Sequence, residues 1–420
     1  ETLTLEDCLR IGIDNNLSLE GKRKEIQKSK YGVSENRSKL LPQITVIAGY
    51  NNNFDPPVSV TDGSSYGVPY NITKTLQHTA NAGLEMQMPL FNQTLYTSMS
   101  IAKVMEEISR LSYGKAREDI IMQISKMYYL GQVTAEQIVL IKANITRLEE
   151  LRDITQAFFD NGMSMEVDLK RVNINLENLK VQYDNAQAMM KQQLNMLKYI
   201  MDYPAEKEFV LTPVNTDSIT TVALTGLSEN IYELQLSQSQ VQLAEKQKKI
   251  ISNGYIPSLS LTGSWRYAAY TDKGYHWFHS GPSNHWFRSY GLGLTLRIPI
   301  FDGLDKTYKI KKAMIDIENS KLAWENARKS LQTQYLNAVN DLMNNQRNFK
   351  KQKDNYLLAE DVYTVTSDRY REGIASMTEV LQDEMQMSEA QNNYISAHYN
   401  YRITNLMLLK LTGQIESLVK

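Results

Sequence analysis

Cysteine is almost missing from this chain, with Cys8 the single example in 420 residues. That excludes an internal disulfide framework and a cysteine-rich metal centre. Cys8 itself reads as a small residue on a helix face. Proline (10) and glycine (20) are scarce, so there are few places to turn. Lys, Arg, Glu, Gln, Leu, Ala and Met are plentiful and favour helix. No stretch approaches about 18 uncharged apolar residues, which excludes a transmembrane helix. It does not exclude a membrane barrel, whose strands carry a weaker signal per segment. Neither sign of charge dominates: 46 basic against 47 acidic residues leave a net charge of −1. There is therefore no basic footprint for nucleic acid. No signal-peptide pattern is present, and Glu1 leads directly into a helical pattern. If the protein is exported, the mature form is expected to begin here. A nucleophile elbow, a phosphate loop and a zinc-binding helix motif are all missing. His276, His279 and His285 lie near Trp277 and Trp286 without helical spacing or a paired carboxylate. They read as exposed loop residues, not metal ligands, and no cofactor is implied.

What the chain does have is a repeat of about half its length. Leu41-Pro42-Gln43-Ile44 returns as Ile256-Pro257-Ser258-Leu259, and Met88-Pro89-Leu90-Phe91-Asn92 returns as Ile298-Pro299-Ile300-Phe301-Asp302. Asn161-Gly162 returns as Glu372-Gly373. A period this long means duplication of a supersecondary unit, not a short-repeat solenoid. Each copy reads as helix, strand, loop, strand, very long helix, turn, long helix. The first repeat takes residues 1–200, with helices over 5–41 (broken at Asp14-Asn15-Asn16) and 93–200. A linker follows at 201–226, and the second repeat takes 227–420. The long helices are expected from Gln93 to Asp160 and from Gly303 to Arg371. At 1.5 Å per residue, each has a contour of about 100 Å. Ile138, Ile141, Ile145, Leu148, Leu151 and Ile154 have the three-and-four spacing of coiled-coil packing. Met163, Met165, Met377, Met385 and Met387 read as helix packing more than as copper ligands.

Four segments alternate with period two: about 43–52, 82–91, 257–267 and 290–300. Ile44, Val46, Ala48 and Tyr50 oppose Thr45, Ile47, Gly49 and Asn51. Leu292, Leu294, Leu296 and Ile298 oppose Gly291, Gly293, Thr295 and Arg297. The charged residues within these bounds, Glu85, Arg266 and Arg297, all fall on the polar face. A charge on the lipid side of a barrel costs about 2–4 kcal/mol at the midplane. The pattern therefore suits an apolar face towards lipid and a wet interior holding Glu85, Arg266 and Arg297. Tyr50, Trp265 and Tyr290 stand near strand ends, where aromatic rings prefer the membrane interface. Four strands cannot close alone, and an open edge in lipid leaves unpaired backbone groups. Two chains would supply eight strands, which fill their own interior. Three would supply twelve, and a Gly-, Ser- and Thr-lined passage suits three.

These residues in this order resemble the TolC family of bacterial outer-membrane efflux channels. The resemblance spans essentially the whole chain. It rests on Leu5-Glu6-Asp7-Cys8-Leu9 with Asn15-Asn16-Leu17, on Leu41-Pro42 and Ile256-Pro257 before the strands, and on Pro89-Leu90-Phe91 and Pro299-Ile300-Phe301-Asp302-Gly303 after them. It implies a mainly α chain with a membrane β-barrel: a homotrimer with a 12-stranded β-barrel in the outer membrane, on a long α-helical barrel that crosses the periplasm. It implies an exit duct for a tripartite efflux or type I secretion system, working with a periplasmic adaptor protein and an inner-membrane transporter, doing no chemistry. It implies that Gly162 and Gly373 are tip turns touched by the adaptor. The periplasmic aperture would take Asp168, Tyr370, Glu379 and Gln382. Two departures matter there: the family's gating arginine is Ala375 in this chain, with Arg371 or Arg369 as substitutes, and one ring acid is Gln382. The structural alternative for Asp168 and Glu379 is placement in a helix first turn, complementing the dipole. The alternative for the whole chain is a soluble coiled-coil scaffold or fibre.

Overall fold

A computed structural model of the chain describes residues 1–62, 64–74, 76–213, 226–271 and 286–419. The three loop histidines His276, His279 and His285 lie outside the described residues. The chain divides into two compact units, one of residues 1–26, 108–239 and 321–420, the other of residues 27–107 and 240–320. Each draws on both halves of the sequence.

The first unit is helical. A two-residue strand β1 (Thr2–Leu3) pairs in parallel with β6 (Val210–Leu211) inside the linker segment. Helix α1 (Leu5–Asn15) opens with a capping box, Thr4 against Asp7. Its end is dictated by Asn16, whose Oδ1 accepts from the amides of Ser18 and Leu19 and so starts α2 (Leu17–Ser38). An asparagine that caps the next helix cannot also continue the last one. The long helices are α3 (Gln93–Asp160), α4 (Glu166–Met201), α5 (Tyr232–Ser252), α6 (Asp305–Arg371) and α7 (Met377–Leu411), of which α3, α5 and α6 contribute residues to both units. One core gathers Leu9, Ile13, Ile121, Ile124, Leu197 and Met201 from α1, α3 and α4. Cys8 is fully buried there, and desolvation pushes its thiol up to about 12. A second core joins Leu148 and Leu151 of α3, Val172 and Leu176 of α4, Tyr363 and Tyr370 of α6, and Val380 and Met387 of α7. Among the described residues no helix is long and apolar enough to cross a membrane.

The second unit holds an antiparallel sheet in the order β2-β5-β7-β8, with β2 (Gln43–Asn52), β5 (His78–Phe91), β7 (Ser258–Thr271) and β8 (Trp286–Arg297). The register puts Thr45 opposite Glu85, Glu85 opposite Ser264, and Ser264 opposite Gly291, all on one face. The other face carries Val46, Leu84, Trp265 and Tyr290 in one row. Those apolar side chains are left bare: Leu292 is 80% and Leu294 67% exposed. Among the described residues β2 and β8 are both unpaired edges of this sheet.

Several boundaries differ from the sequence reading; β5 begins at His78, four residues earlier than expected, and β7 runs on to Thr271, four residues further. The segment between β2 and β5 is not all loop: β3 (Val58–Asp62) and β4 (Tyr70–Lys74) form a separate hairpin. The ladder of β2 ends at Asn52 opposite His78, and pairing resumes at Val58, just past Pro56-Pro57. Strand β8 begins four residues earlier than its alternation predicts, because aromatic Trp286, Phe287 and Tyr290 sustain strand where a loop was expected. It therefore includes Arg288, which shares its face with Tyr290. The rule that every strand charge lies on the polar face holds for Glu85, Arg266 and Arg297 and fails for Arg288. Helix α6 starts at Asp305, after a turn in which Gly303 and Leu304 both take positive φ.

Candidate functional site

The two hairpin tips of the helical unit share one backbone solution. Gly162 (φ 72) and Gly373 (φ 76) sit just past the ends of α3 and α6 in the left-handed region. At the first tip the Met163 amide donates to Phe158 O at 2.8 Å and the Gly162 amide to Phe159 O at 2.9 Å. At the second the Ile374 amide donates to Arg369 O at 2.8 Å and the Gly373 amide to Tyr370 O at 2.9 Å. Glycine is demanded here because a Cβ would crowd the following carbonyl.

The helices that leave the tips begin differently. Ser376 caps α7 with a full capping box: its Oγ accepts from the Glu379 amide at 3.3 Å, and Glu379 Oε2 accepts from the Ser376 amide at 3.0 Å. Met165 starts α4 with no side-chain cap. Asp168 instead faces Arg171 at 3.4 Å, and Arg171 donates to Thr378 Oγ1 at 3.3 Å, linking α4 to α7. The carboxylate of Glu379 thus has a local backbone partner, while that of Asp168 has a cation. Gln382 is exposed, and Ala375 packs partly buried against the core.

Tyr370 is buried at the end of α6. Its hydroxyl donates to Thr155 Oγ1 of α3 at 3.3 Å, and its ring lies 5.7 Å from that of Phe158. Beside it Arg371 donates to Glu150 of α3 at 3.2 Å and reaches Asp368 at 3.5 Å. No ion pair of Arg369 is formed among the described residues. The tip of α6 is thereby tied to α3 by one buried and one exposed polar contact.

Sequence reasoning passed over the contacts further along the same helices. Met377, Glu384, Gln391, His398 and Asn405 recur every seven residues of α7, Thr412 continues the row at its C-cap, and all are buried. Tyr335, Leu342, Phe349, Tyr356, Tyr363 and Tyr370 recur every seven residues of α6. The aromatic row interleaves with α7: Phe349 lies 4.9 Å from the His398 ring and 5.8 Å from that of Tyr394. The polar row reaches α3. Asn144 Nδ2 donates to Gln391 Oε1 at 2.7 Å. Arg147 donates to Asn144 at 3.0 Å and to Glu360 of α6 at 2.5 Å. Arg402 Nε donates to His398 Nε2 at 3.0 Å, and Tyr394 donates to Glu136 Oε1 at 3.1 Å. The row is not fully satisfied: His398 Nδ1 and Asn405 Oδ1 lack hydrogen-bond partners, and Glu384 is the carboxylate in this position. It is 5% exposed, its Oε1 has no hydrogen-bond partner, and burial pushes its carboxyl up to about 6. A heptad search for apolar residues misses such a row, because its members are polar at a core position.

The methionines split. Met377 and Met387 are buried as packing residues should be. Met163, Met165 and Met385 are exposed within the chain, which corrects their reading as packing inside it: the first two lie on the tip turn and the third on the exposed face of α7. Among the described residues no group of three His, Cys, Asp or Glu could hold a metal.

In the sheet unit, Arg266 and Glu85 form an ion pair across β7 and β5 on the polar face. Gly83 lies opposite Arg266, and a Cβ there would stand 2.5 Å from Trp265 O. Arg297 ends β8 on the same face with no ion pair among the described residues.

A helical unit with paired tip turns and a sheet bare on its apolar face match known proteins over nearly the whole chain. TolC of Vibrio cholerae is 21% identical over 396 residues, covering 91% of this chain and 84% of that protein. The toluene efflux pump outer membrane protein TtgC of Pseudomonas putida is 23% identical over 382 residues, covering 85% of this chain and 75% of that protein. The crystal structure of the outer membrane protein VceC from Vibrio cholerae superposes with a TM-score of 0.78 at 14% identity, covering 97% of this chain and 96% of that one. The family model described as outer membrane efflux protein matches twice, over residues 11–201 and 215–414, one match for each half of the repeat. The chain belongs to this family of outer-membrane efflux channels, which sit in the outer membrane and extend into the periplasm and are not a family of enzymes.

Proposed function

We propose that three copies of this chain close one 12-stranded barrel and form the passive exit duct of a tripartite pump. The carrying observation is the four-stranded sheet, apolar and bare on one face, polar on the other, with both edges unpaired among the described residues. Unpaired strand edges in lipid cost several kcal/mol per group, so the sheet demands partners of its own kind. A soluble coiled-coil scaffold has no use for that bare face. Substrates are efflux cargo or, in a type I secretion system, proteins, and the energy comes from an inner-membrane transporter joined through a periplasmic adaptor. No cofactor is needed.

The tips of α3 and α6 are the adaptor-contacting turns, at Gly162 and Gly373. Met163, Met165 and Ile374 are exposed around them, which suits a protein partner. In a trimer Asp168 and Glu379 would ring a periplasmic aperture with Gln382 beside them, and like carboxylates around a narrow passage favour cations. Tyr370 with Thr155, and Arg371 with Glu150, form the latch, with Arg371 taking over from the arginine missing at Ala375. Glu85, Arg266 and Arg297 face the barrel lumen. Single-channel recording of the purified trimer in planar bilayers tests this. The reading expects a small cation-selective conductance that rises in Tyr370→Phe and loses selectivity in Asp168→Ala with Glu379→Ala. Absence of any conductance in all of these proteins contradicts it.

A further inference from the structure

On the apolar face of the four-stranded sheet Arg288 is the one formally charged side chain among the described residues. It is exposed, and its guanidinium lies 5.9 Å from the Tyr290 ring centroid. No described carboxylate forms an ion pair with it. A neighbouring copy of β2 closing against β8 would not supply one, because the apolar face of β2 offers Ile44, Val46, Ala48, Tyr50 and Asn52. Its surroundings are aromatic. Tyr267 is its register partner on β7, and Trp265 faces Tyr290 one row below. The Trp265 and Tyr267 rings meet edge to face at 5.7 Å.

The level of Arg288 is informative. Strands tilted by about 40° gain roughly 2.6 Å of height per residue. The ten residues from exposed Ile298 up to Arg288 then span about 26 Å, the height of a barrel's apolar band. Arg288 stands where hydrocarbon gives way to headgroups. Aromatic rings collect at that level, and an arginine there meets lipid phosphate.

We propose that Arg288, framed by Tyr267 and Tyr290, binds the phosphate of an outer-leaflet glycolipid on the outward face of β8. A guanidinium offers two parallel N–H donors that match two phosphate oxygens, a geometry lysine cannot copy. The rings below pack against the sugar and the upper acyl chains. This rests on the reading that the apolar face meets the membrane.

Native mass spectrometry of the assembled protein in detergent tests it, with bis-phosphorylated lipid A, its dephosphorylated form and inorganic phosphate as probes. The wild-type protein is expected to prefer the phosphorylated lipid by about five- to tenfold. Arg288→Gln should abolish the preference, Arg288→Lys should keep part of it, and Arg297→Gln should leave it unchanged. In the wild type the phosphorylated lipid should also shield Arg288 from phenylglyoxal, a measurement that stands if Arg288→Gln fails to assemble. No phosphate preference, a preference that survives Arg288→Gln, an unshielded Arg288, or displacement of the lipid by millimolar inorganic phosphate would each overturn the site. Binding is read without conductance, so failure of the duct reading and failure of this site are separate results.

Discussion

Glu384 is the residue whose environment makes the sharpest demand. It occupies a core position of α7 with an unpartnered Oε1, and desolvation lifts its carboxyl to about 6. The unfolded chain releases that proton near the ordinary 4.5, so between the two values the folded protein binds the extra proton. Stability is then full at low pH and is lost as pH rises through about 6, by about 2 kcal/mol in total. Glu384→Gln should unfold later than the parent at pH 8 and show no advantage below about pH 4.5. Denaturant midpoints at three pH values check this, and a pH-independent gap counts against it. The two contacts that tie α6 to α3, proposed as a latch, differ in burial. Tyr370→Phe removes a buried hydroxyl bond and should cost about 1 kcal/mol. Arg371→Ala removes exposed pairs and should cost less, with an effect that fades at high salt. Comparing open probability of the two variants at low and high salt separates them. Resemblance alone singles out Tyr370 in the sequence, and nothing there singles out Glu384, since a lone glutamate in a helix reads as solvated until its neighbours are known.

Among the elements, the turns and strands carry the clearest expectations. Gly373→Ala puts a Cβ in open space but at φ 76, so its cost is conformational alone, about 1–2 kcal/mol. It should show as faster amide exchange confined to the tip. Gly83→Ala places a Cβ 2.8 Å from Arg266 Cα, so β5 and β7 must separate. That should lower the temperature at which the assembled protein dissociates on a denaturing gel by more than Gly291→Ala, where nothing lies within 4 Å. Period-two alternation made β2, β5, β7 and β8 legible, because a two-faced sheet imposes it on every residue. The hairpin β3–β4 was not legible, since its short strands sit among Gly, Pro and Asp that signal turns. The start of β8 was missed because Arg288 interrupts the apolar pattern there. The seven-residue rows of α6 and α7 were written in the sequence but hidden by their polarity.

For the molecule as a whole, the repeat announced the two halves, and the family model matches each half once. Which segments pack into which unit was not readable from the repeat, because each unit combines pieces of both halves. Closure of the sheet by other copies is the central claim, and it concerns edges that no strand among the described residues pairs with. The edges are chemically addressable. Thr45 of β2 and Thr295 of β8 lie on the polar face near the helical ends of their strands. The native Cys8 is buried with its thiol pushed up to about 12, so it stays silent. The most direct measurement is cross-linking of the Thr45→Cys, Thr295→Cys double variant in outer membranes with a bis-maleimide of about 10 Å reach, sized to span two adjacent strands. A denaturing ladder that ends at three chains, and that neither single variant produces, is the expected result. A ladder that stops at two chains, runs beyond three, or never leaves the monomer contradicts the account.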